Sequence, residues 1–115
     1  MPFIRLETNA PLTDEIRQKI CMSLSNALSK GIGKPEQYVM TSVLPSVMSM
    51  SAISAPAAFA DLRSIGGLSG EVNKALTSTI CRILNETLKI PGDRVFITFT
   101  EVSGSHWGWQ GSTLG

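Results

Sequence analysis

Pro2 is the residue whose position suggests chemistry most directly, because only Met1 precedes it. If Met1 is removed, the proline nitrogen carries no acyl group and becomes a secondary amine that can accept a proton. Within a chain the same nitrogen is a non-basic amide. Met-Pro is also a common start, and a motif this short has a high false-positive rate. The sequence therefore suggests an N-terminal base that depends on processing.

Two other positions could bind an anion. Lys34 follows Gly33 at the expected end of a helix, where a lysine can bind a ligand or merely interact with the last helical carbonyls. Ser64 and Ile65 follow an expected strand, where they could present a free backbone N–H or form an ordinary turn. Both interpretations of each position stay open from these residues alone.

Four large side chains could line an aromatic slot, namely Tyr38, Phe96, Trp107 and Trp109. Rings of this size serve a core or an interface more often than a ligand. The two tryptophans lie in the glycine-rich tail 103–115, which can pack only along a preformed surface. A neighbouring subunit is the expected surface.

The chain has few residues that could hold a metal or act in redox chemistry. Cys21 and Cys81 lie 60 positions apart, each in an apolar helical pattern where a thiol behaves as a small hydrophobe. His106 is the only histidine, and no closely spaced cysteine pair occurs, so the usual ligands of a zinc site are missing. We expect no metal and no other cofactor.

The composition fits one domain spanning residues 1–115. With 43% hydrophobic residues, 17% charged residues and a net charge of +1, the chain resembles neither a disordered nor a nucleic-acid-binding protein. No apolar run approaches the roughly 18 residues of a membrane helix, and charges interrupt the region where a signal peptide needs an apolar stretch. We expect a cytoplasmic protein without nucleic-acid or membrane partners, whose secretion, if it occurs, needs no signal peptide.

The chain also contains an internal repeat. Residues 3–44 and 59–100 match without a gap after a shift of 56 positions, which indicates two copies of one supersecondary unit. The shift aligns Phe3 with Phe59, Leu6 with Leu62, Glu15 with Glu71, Ile20 with Leu76, Leu28 with Leu84 and Pro35 with Pro91.

Each unit is expected to form a strand, a helix and a returning strand. Residues 3–8 alternate in polarity, Thr13 can cap the helix that follows, and Gly31 with Gly33 can end it. Ser69 is the equivalent cap in the second unit. The returning strands are predicted at residues 38–44 and 94–102. The uncharged connection 45–56 is expected to be ordered, with a short strand near residues 47–50.

A strand, crossover helix and strand of this length form a right-handed parallel pair. Two such pairs can join into one four-stranded mixed sheet with both helices on one face, which predicts an α+β sandwich of two layers. Strand alternation places aromatic and charged side chains together on the other face, and this mixture favours burial against other subunits. These residues are Phe3, Arg5, Glu7, Tyr38, Met40, Asp61, Arg63 and Phe96.

Five short segments in this order resemble the macrophage migration inhibitory factor family of the tautomerase superfamily. They are Met-Pro-Phe-Ile at 1–4, Gly-Lys-Pro-Glu-Gln-Tyr-Val at 33–39, Ser-Ile-Gly at 64–66, Asp-Arg-Val at 93–95 and Gly-Trp at 108–109. The resemblance covers nearly the whole chain and accompanies the repeat described above. It implies a homotrimer in which three four-stranded sheets surround a central channel, with sites at the subunit boundaries.

The resemblance also implies a keto–enol tautomerase that acts on arylpyruvates such as phenylpyruvate. Pro2 would be the catalytic base and acid, and Lys34 with the backbone of Ile65, beside Ser64, would hold the substrate carboxylate. Apolar walls and Lys34 would lower the pKa of the proline amine. The remaining expected substrate contacts are Tyr38, Phe96, Thr98, Trp107 and Trp109.

The chain departs from the family pattern in three respects. Residues 57–60 lack the Cys-x-x-Cys pair of the best-known members, which excludes thiol–disulfide activity there. Phe96 and Thr98 stand where an aromatic hydroxyl and an amide are usual, so a phenol donor is missing. Trp107 and Leu114 stand where a smaller and an aromatic residue are common, so the shape of the pocket differs.

Two other functions stay open. Relatives in this family act as cytokines that bind a receptor, and receptor contacts leave no chemical signature in a sequence. Other reactions of the superfamily, such as hydration, dehalogenation or decarboxylation of small acids, need an additional arginine or acid beside the proline. Arg5 and Arg63 are the candidates for that role.

Overall fold

In the computed structural model, which describes all 115 residues, two helices cover one face of a four-stranded sheet. The strands lie in the order β2-β1-β3-β4, in which β1–β2 and β3–β4 are parallel and β1–β3 are antiparallel. The predicted α+β sandwich with a mixed sheet is confirmed. The elements are β1 (Pro2–Thr8), α1 (Asp14–Ile32), β2 (Met40–Pro45), β3 (Ala58–Ser64), α2 (Gly70–Leu88) and β4 (Val95–Glu101).

Both helices begin at the predicted caps. The hydroxyl oxygen of Thr13 accepts a hydrogen bond from the backbone N–H of Ile16 at 3.1 Å, and that of Ser69 accepts one from Val72 at 3.2 Å. Each bond satisfies one of the N–H groups that the first turn of a helix leaves unpaired. The two caps therefore start α1 and α2 at equivalent places in the two units.

The prediction that Gly31 helps to end the first helix is wrong, because α1 continues through Ile32. Gly31 instead allows the two helices to approach closely, since a Cβ atom there would lie 2.6 Å from Cδ2 of Leu76. Gly33 ends α1 with a φ of 78°, a left-handed conformation that glycine adopts without strain. Lys89 ends α2 in the same conformation, with a φ of 58°.

The hydrophobic core lies between the sheet and the two helices. In β1, Ile4 and Leu6 are fully buried, whereas Phe3 and Arg5 lie half-buried on the other face. Each helix contributes residues spaced three or four apart, so one stripe of each helix seals one face of the sheet. The buried helical residues include Ile20, Leu24, Leu28, Leu76, Ile80 and Leu84.

Two strand predictions need correction. Tyr38 belongs to a short 3₁₀ turn, Glu36–Tyr38, because its N–H bonds to the carbonyl of Pro35, and β2 begins only at Met40. Residues 47–50 form no strand, and a single bridge joins Met50 to Ile53. Side chains from elsewhere hold this connection instead, so its carbonyls need no neighbouring strand.

The C-terminal tail folds back on itself as a small hairpin. Its strands are β5 (Gly108–Trp109) and β6 (Ser112–Thr113), which pair antiparallel. The hairpin brings both tryptophans of the tail to the edge of the sheet where β1 begins. Neither helix has the length and apolar content needed to cross a membrane.

Candidate active site

A cleft of about 780 Å³ opens where β1 begins. The start of β1, the start of β2, the end of β3 and the C-terminal hairpin meet there. Four of the residues singled out from the sequence line this cleft, namely Pro2, Tyr38, Trp107 and Trp109. Other lining residues are Met1, Phe3, Arg5, Met40, Arg63 and His106.

Pro2 is the first residue of β1 and lies directly opposite Ser64 of β3. Its side chain is almost completely buried, and its nitrogen is joined to Met1 by a peptide bond. The carbonyl of Met1 accepts a hydrogen bond from the backbone N–H of Ile65 at 3.4 Å. Removal of Met1 would therefore expose the proline nitrogen and free the N–H of Ile65 in the same step.

The terminal amine lies in an environment that disfavours positive charge. Burial lowers the pKa of the Met1 amine below its ordinary value, and the nearby Lys34 ammonium lowers it further. Lys34 thus acts electrostatically on this end of β1, where the proline amine of a processed chain would lie. An amine here is more readily neutral, which is the form that a general base requires.

Ser64 contributes to this region through the turn that follows β3. Its buried hydroxyl donates to the carbonyl of Gly66 at 2.7 Å, and its own carbonyl accepts from Val102 at 2.9 Å. The hydroxyl is therefore engaged in shaping the turn that carries Ile65. Because this hydroxyl already donates to Gly66, it is not free to make the predicted contact between Ser64 and a substrate.

The aromatic residues of the cleft are held by one another. The rings of Tyr38 and Trp109 meet edge to face with their centroids 6.0 Å apart, an arrangement that aromatic pairs favour. Trp107 lies half-buried in the same cleft. Tyr38, Trp107 and Trp109 thus line the cleft that also contains Pro2, and we call these three residues the aromatic wall.

Phe96 and Thr98 do not reach this cleft within one chain. In the sheet register, Phe96 of β4 aligns with Phe59 of β3, and Phe59 aligns with Glu7 of β1. Glu7 lies five positions along β1 from Pro2. At about 3.3 Å per residue this separation is roughly 16 Å along the strand. Thr98 donates to the carboxylate of Asp61 at 3.3 Å, and Phe96 is 64% exposed.

Several residues of the cleft are not among the predicted substrate contacts. Arg5 and Arg63, which are expected at a site only for other reactions of the superfamily, lie on the same sheet face as Phe3, as strand alternation predicts. Met40 follows the same pattern on β2. His106 accompanies the tail, where its Nδ1 lies 2.8 Å from the hydroxyl of Ser103. Register between strands, which composition does not reveal, brings these residues together.

The cysteines lie outside the cleft. Both are free, and burial raises the pKa of the Cys81 thiol, which keeps it protonated and poorly nucleophilic. Ala57 and Ala60 are buried at the positions that lack the cysteine pair. No group of three or more His, Cys, Asp or Glu side chains is placed to hold a metal ion.

The family model for macrophage migration inhibitory factor matches residues 1–115. The chain belongs to the macrophage migration inhibitory factor family. It is 34% identical over 115 residues to macrophage migration inhibitory factor of Xenopus laevis, with 99% of each chain covered. It is also 34% identical to the Trichuris trichiura homolog, covering 99% of this chain and 100% of that one.

Solved structures of this family share the fold. The macrophage migration inhibitory factor-like protein of Entamoeba histolytica superposes with a TM-score of 0.94 at 34% identity, covering 97% of both chains. The homologue from Prochlorococcus marinus superposes with a TM-score of 0.93 at 33% identity, covering 98% of this chain and 99% of that chain. Membership of the macrophage migration inhibitory factor family supports a tautomerase or cytokine type of function.

Proposed function

We propose that this protein is a keto–enol tautomerase for 2-oxo acids of the phenylpyruvate type, with the processed Pro2 as its general base and acid. One observation carries the proposal. The terminal amine sits in a desolvated cleft beside Lys34, and the residue that precedes Pro2 occupies the N–H of Ile65. A proline amine at this place has a lowered pKa and a vacated hydrogen-bond donor next to it.

The reaction moves a proton between carbon and oxygen, and the proline nitrogen carries it at the carbon end. The neutral proline nitrogen takes a proton from C3 of the 2-oxo acid, and the C–H electron pair becomes the C2=C3 double bond. The carbonyl π pair moves to the oxygen, which takes a proton from water. In the reverse direction the charged proline returns its proton to C3 while the enol oxygen loses one.

The proposed binding mode follows from the charges and donors around Pro2. Lys34 and the freed N–H of Ile65 bind the carboxylate of the substrate, because a cation and a backbone donor both favour an anion. The wall formed by Tyr38, Trp107 and Trp109 receives the apolar part. Holding the acid in this way places C3 beside the nitrogen, which is the positioning that proton transfer requires.

A homotrimer completes this proposal. Met40 and Phe96 are large apolar side chains with 65% and 64% of their surface exposed, an arrangement that favours an interface between copies. Phe96 and Thr98 lie far from Pro2 in their own chain, so a neighbouring subunit would supply them. Chromatographic mass measurement of the processed protein tests this assembly.

Replacement of Pro2 by Gly tests the catalytic role. The processed Pro2→Gly protein should lose about 100-fold or more in kcat/KM for phenylpyruvate, which is the usual contribution of a general base. Pro11→Gly, at an exposed proline between β1 and α1, is the matched control and should retain wild-type kcat/KM. Intact mass confirms removal of Met1 in all three proteins. Unchanged kcat/KM in Pro2→Gly would exclude Pro2 as the base.

A receptor-binding, cytokine-like function is the second candidate. It is supported by relatives that carry the name macrophage migration inhibitory factor at 32–34% identity. The Pro2→Gly protein separates the two candidates. A receptor-binding activity that is independent of catalysis should persist in the variant that has lost tautomerisation.

A further inference from the structure

The cleft beside Pro2 carries an unbalanced set of charged groups. Arg5 and Arg63 line it, and no acidic side chain does. Arg63 lies directly opposite Phe3, the residue that follows Pro2 in β1. Its side chain therefore emerges beside the proposed base, on the sheet face that the helices leave open.

The two arginines share one carboxylate. Asp61, whose side chain is only 10% exposed, lies 3.6 Å from Nη2 of Arg5 and 3.4 Å from Nε of Arg63. Arg5 also lies 3.4 Å from a second carboxylate, that of Glu7. The charge of Arg5 is thus balanced within the sheet, whereas Arg63 has only a share of Asp61.

Arg63 retains most of its capacity to bind an anion. Its one contact to Asp61 is longer than the roughly 2.7–2.9 Å of a strong charged hydrogen bond, and it uses Nε alone. The two terminal nitrogens make no hydrogen bond within the chain, and 53% of the side chain is exposed. These nitrogens form the fork that binds a carboxylate through two parallel hydrogen bonds.

Lys34 reaches the same end of β1 from the other side of the sheet. Its Cε atom lies 3.6 Å from the position that a Cβ atom on Gly67 would occupy, and Gly67 packs against Ile32 of α1. Lys34 therefore belongs to the helix side, whereas Arg63 lies on the open face. Lys34 acts electrostatically on the Met1 amine at the start of β1, and Arg63 lines the cleft at the same end of the strand.

We infer that Arg63 binds a second carboxylate and that the same site accepts dicarboxylic 2-oxo acids in addition to those of the phenylpyruvate type. This inference rests on the proposed tautomerase function. The first carboxylate binds Lys34 and Ile65, and the second binds the free fork of Arg63. In oxaloacetate, the simplest such acid, C3 lies between the ketone and the second carboxylate. The carbon that exchanges its proton thus lies between the two cations, beside the proline nitrogen.

The test compares two substrates in three processed proteins. The wild type, Arg63→Gln and Lys74→Gln are assayed for ketonisation of the enols of oxaloacetate and phenylpyruvate. Lys74 is an exposed cation on α2, so its variant controls for the change in net charge. Arg63→Gln should raise KM for oxaloacetate roughly ten-fold or more, because a hydrogen bond to a charged group is lost. Its KM for phenylpyruvate and both constants of Lys74→Gln should stay at wild-type values.

The outcomes separate this inference from the proposed function. Wild-type turnover of oxaloacetate that is selectively lost in Arg63→Gln supports the assignment. Equal losses on both substrates, or a wild type that turns over phenylpyruvate but not oxaloacetate, would overturn it and leave the tautomerase intact. Absence of turnover on both substrates would overturn the tautomerase itself. Retained phenylpyruvate turnover shows at the same time that Arg63→Gln is folded.

Discussion

The two repeated units of the molecule share one fold, but their first residues are held differently. Under the 56-residue shift, Pro2 corresponds to Ala58 and Met1 to Ala57. Ala57 is fastened on both sides, since its carbonyl accepts from the hydroxyl of Thr8 at 2.7 Å and its N–H donates to Asn9 at 2.8 Å. The carbonyl of Met1 has a single bond of 3.4 Å, from Ile65.

The neighbouring positions differ in the same sense. Lys34, half-buried beside the cleft, corresponds to Ile90, which is completely buried, and Tyr38 of the aromatic wall corresponds to Arg94. The guanidinium of Arg94 donates to four carbonyls of the connection between the units. The first unit therefore forms a cleft at the start of β1. The equivalent place in the second unit, around Ala57 and Arg94, is closed by hydrogen bonds, and we call it the closed joint. The four acceptors are Met50, Ile53, Ala55 and Pro56.

Removing the Arg94 side chain should break the closed joint and spare the cleft. Arg94→Ala should lower the free energy of unfolding by about 2 kcal/mol, because it removes four hydrogen bonds from a charged donor to the connection, one of them partly buried. Urea unfolding measures the change. Arg82→Ala is the control, since it breaks only an exposed ion pair with Glu86 worth less than about 1 kcal/mol. Equal losses in both variants would contradict the role assigned to Arg94.

Removing the Lys34 side chain should leave the cleft without a cation at this position, as in the second unit, where Ile90 is the equivalent residue. Lys34→Ala should raise KM for an anionic 2-oxo acid roughly ten-fold, whereas Lys19→Ala, an exposed cation in the middle of α1, should not change it. The pH profile supplies a second readout. Lys34 lowers the pKa of the Met1 amine, and we expect it to act in the same direction on the Pro2 amine of the processed chain, so its loss should raise the pKa of the proposed base. Because the neutral amine is the proposed active form, the acid limb of kcat/KM should move to higher pH.

If the acid limb of kcat/KM lies at the same pH in Lys34→Ala and in Lys19→Ala, Lys34 is not part of the site. A shift toward lower pH in Lys34→Ala would contradict the sign of the electrostatic argument, since removal of a nearby cation always favours protonation.

Phe96 tests whether the open face of one copy completes the cleft of another. It corresponds to Met40 under the repeat, yet it lies at the opposite end of the sheet from Pro2. Phe96→Tyr should raise kcat/KM for 4-hydroxyphenylpyruvate relative to phenylpyruvate by about two- to ten-fold, through one added hydrogen bond. Phe59→Tyr, its neighbour on β3, should leave the ratio unchanged. An unchanged ratio in Phe96→Tyr would argue that no neighbouring subunit presents this residue.

The sequence predicted those features that depend on burial and local capping. Thr13 and Ser69 cap the helices because a short hydroxyl side chain precedes an apolar helical stripe, and this signal is local. Alternation in β1 placed Ile4 and Leu6 in the core for the same reason. Pro2 stands out because it directly follows Met1, whereas Lys34 stands out only through the family resemblance, since a lysine after a helix-ending glycine also has an ordinary structural role.

Features that depend on contacts between distant residues could not be predicted from such local patterns. Nothing near Arg94 indicates that its donors meet carbonyls about forty positions earlier in the chain. Tyr38 was assigned to a strand because alternation does not reveal the turn that Pro35 starts. The separation of Phe96 from Pro2 depends on the register of three paired strands, which a single sequence does not specify.

The position of β1 within the sheet bears on how the proposed base works. A first strand that starts at residue 2 would ordinarily fray, but β1 is hydrogen-bonded to β2 on one side and to β3 on the other. The Pro2 nitrogen, which is the proposed base, is therefore held as rigidly as the interior of the sheet. It needs no closing lid and little reorganisation before proton transfer, because folding has already paid the entropy of its alignment.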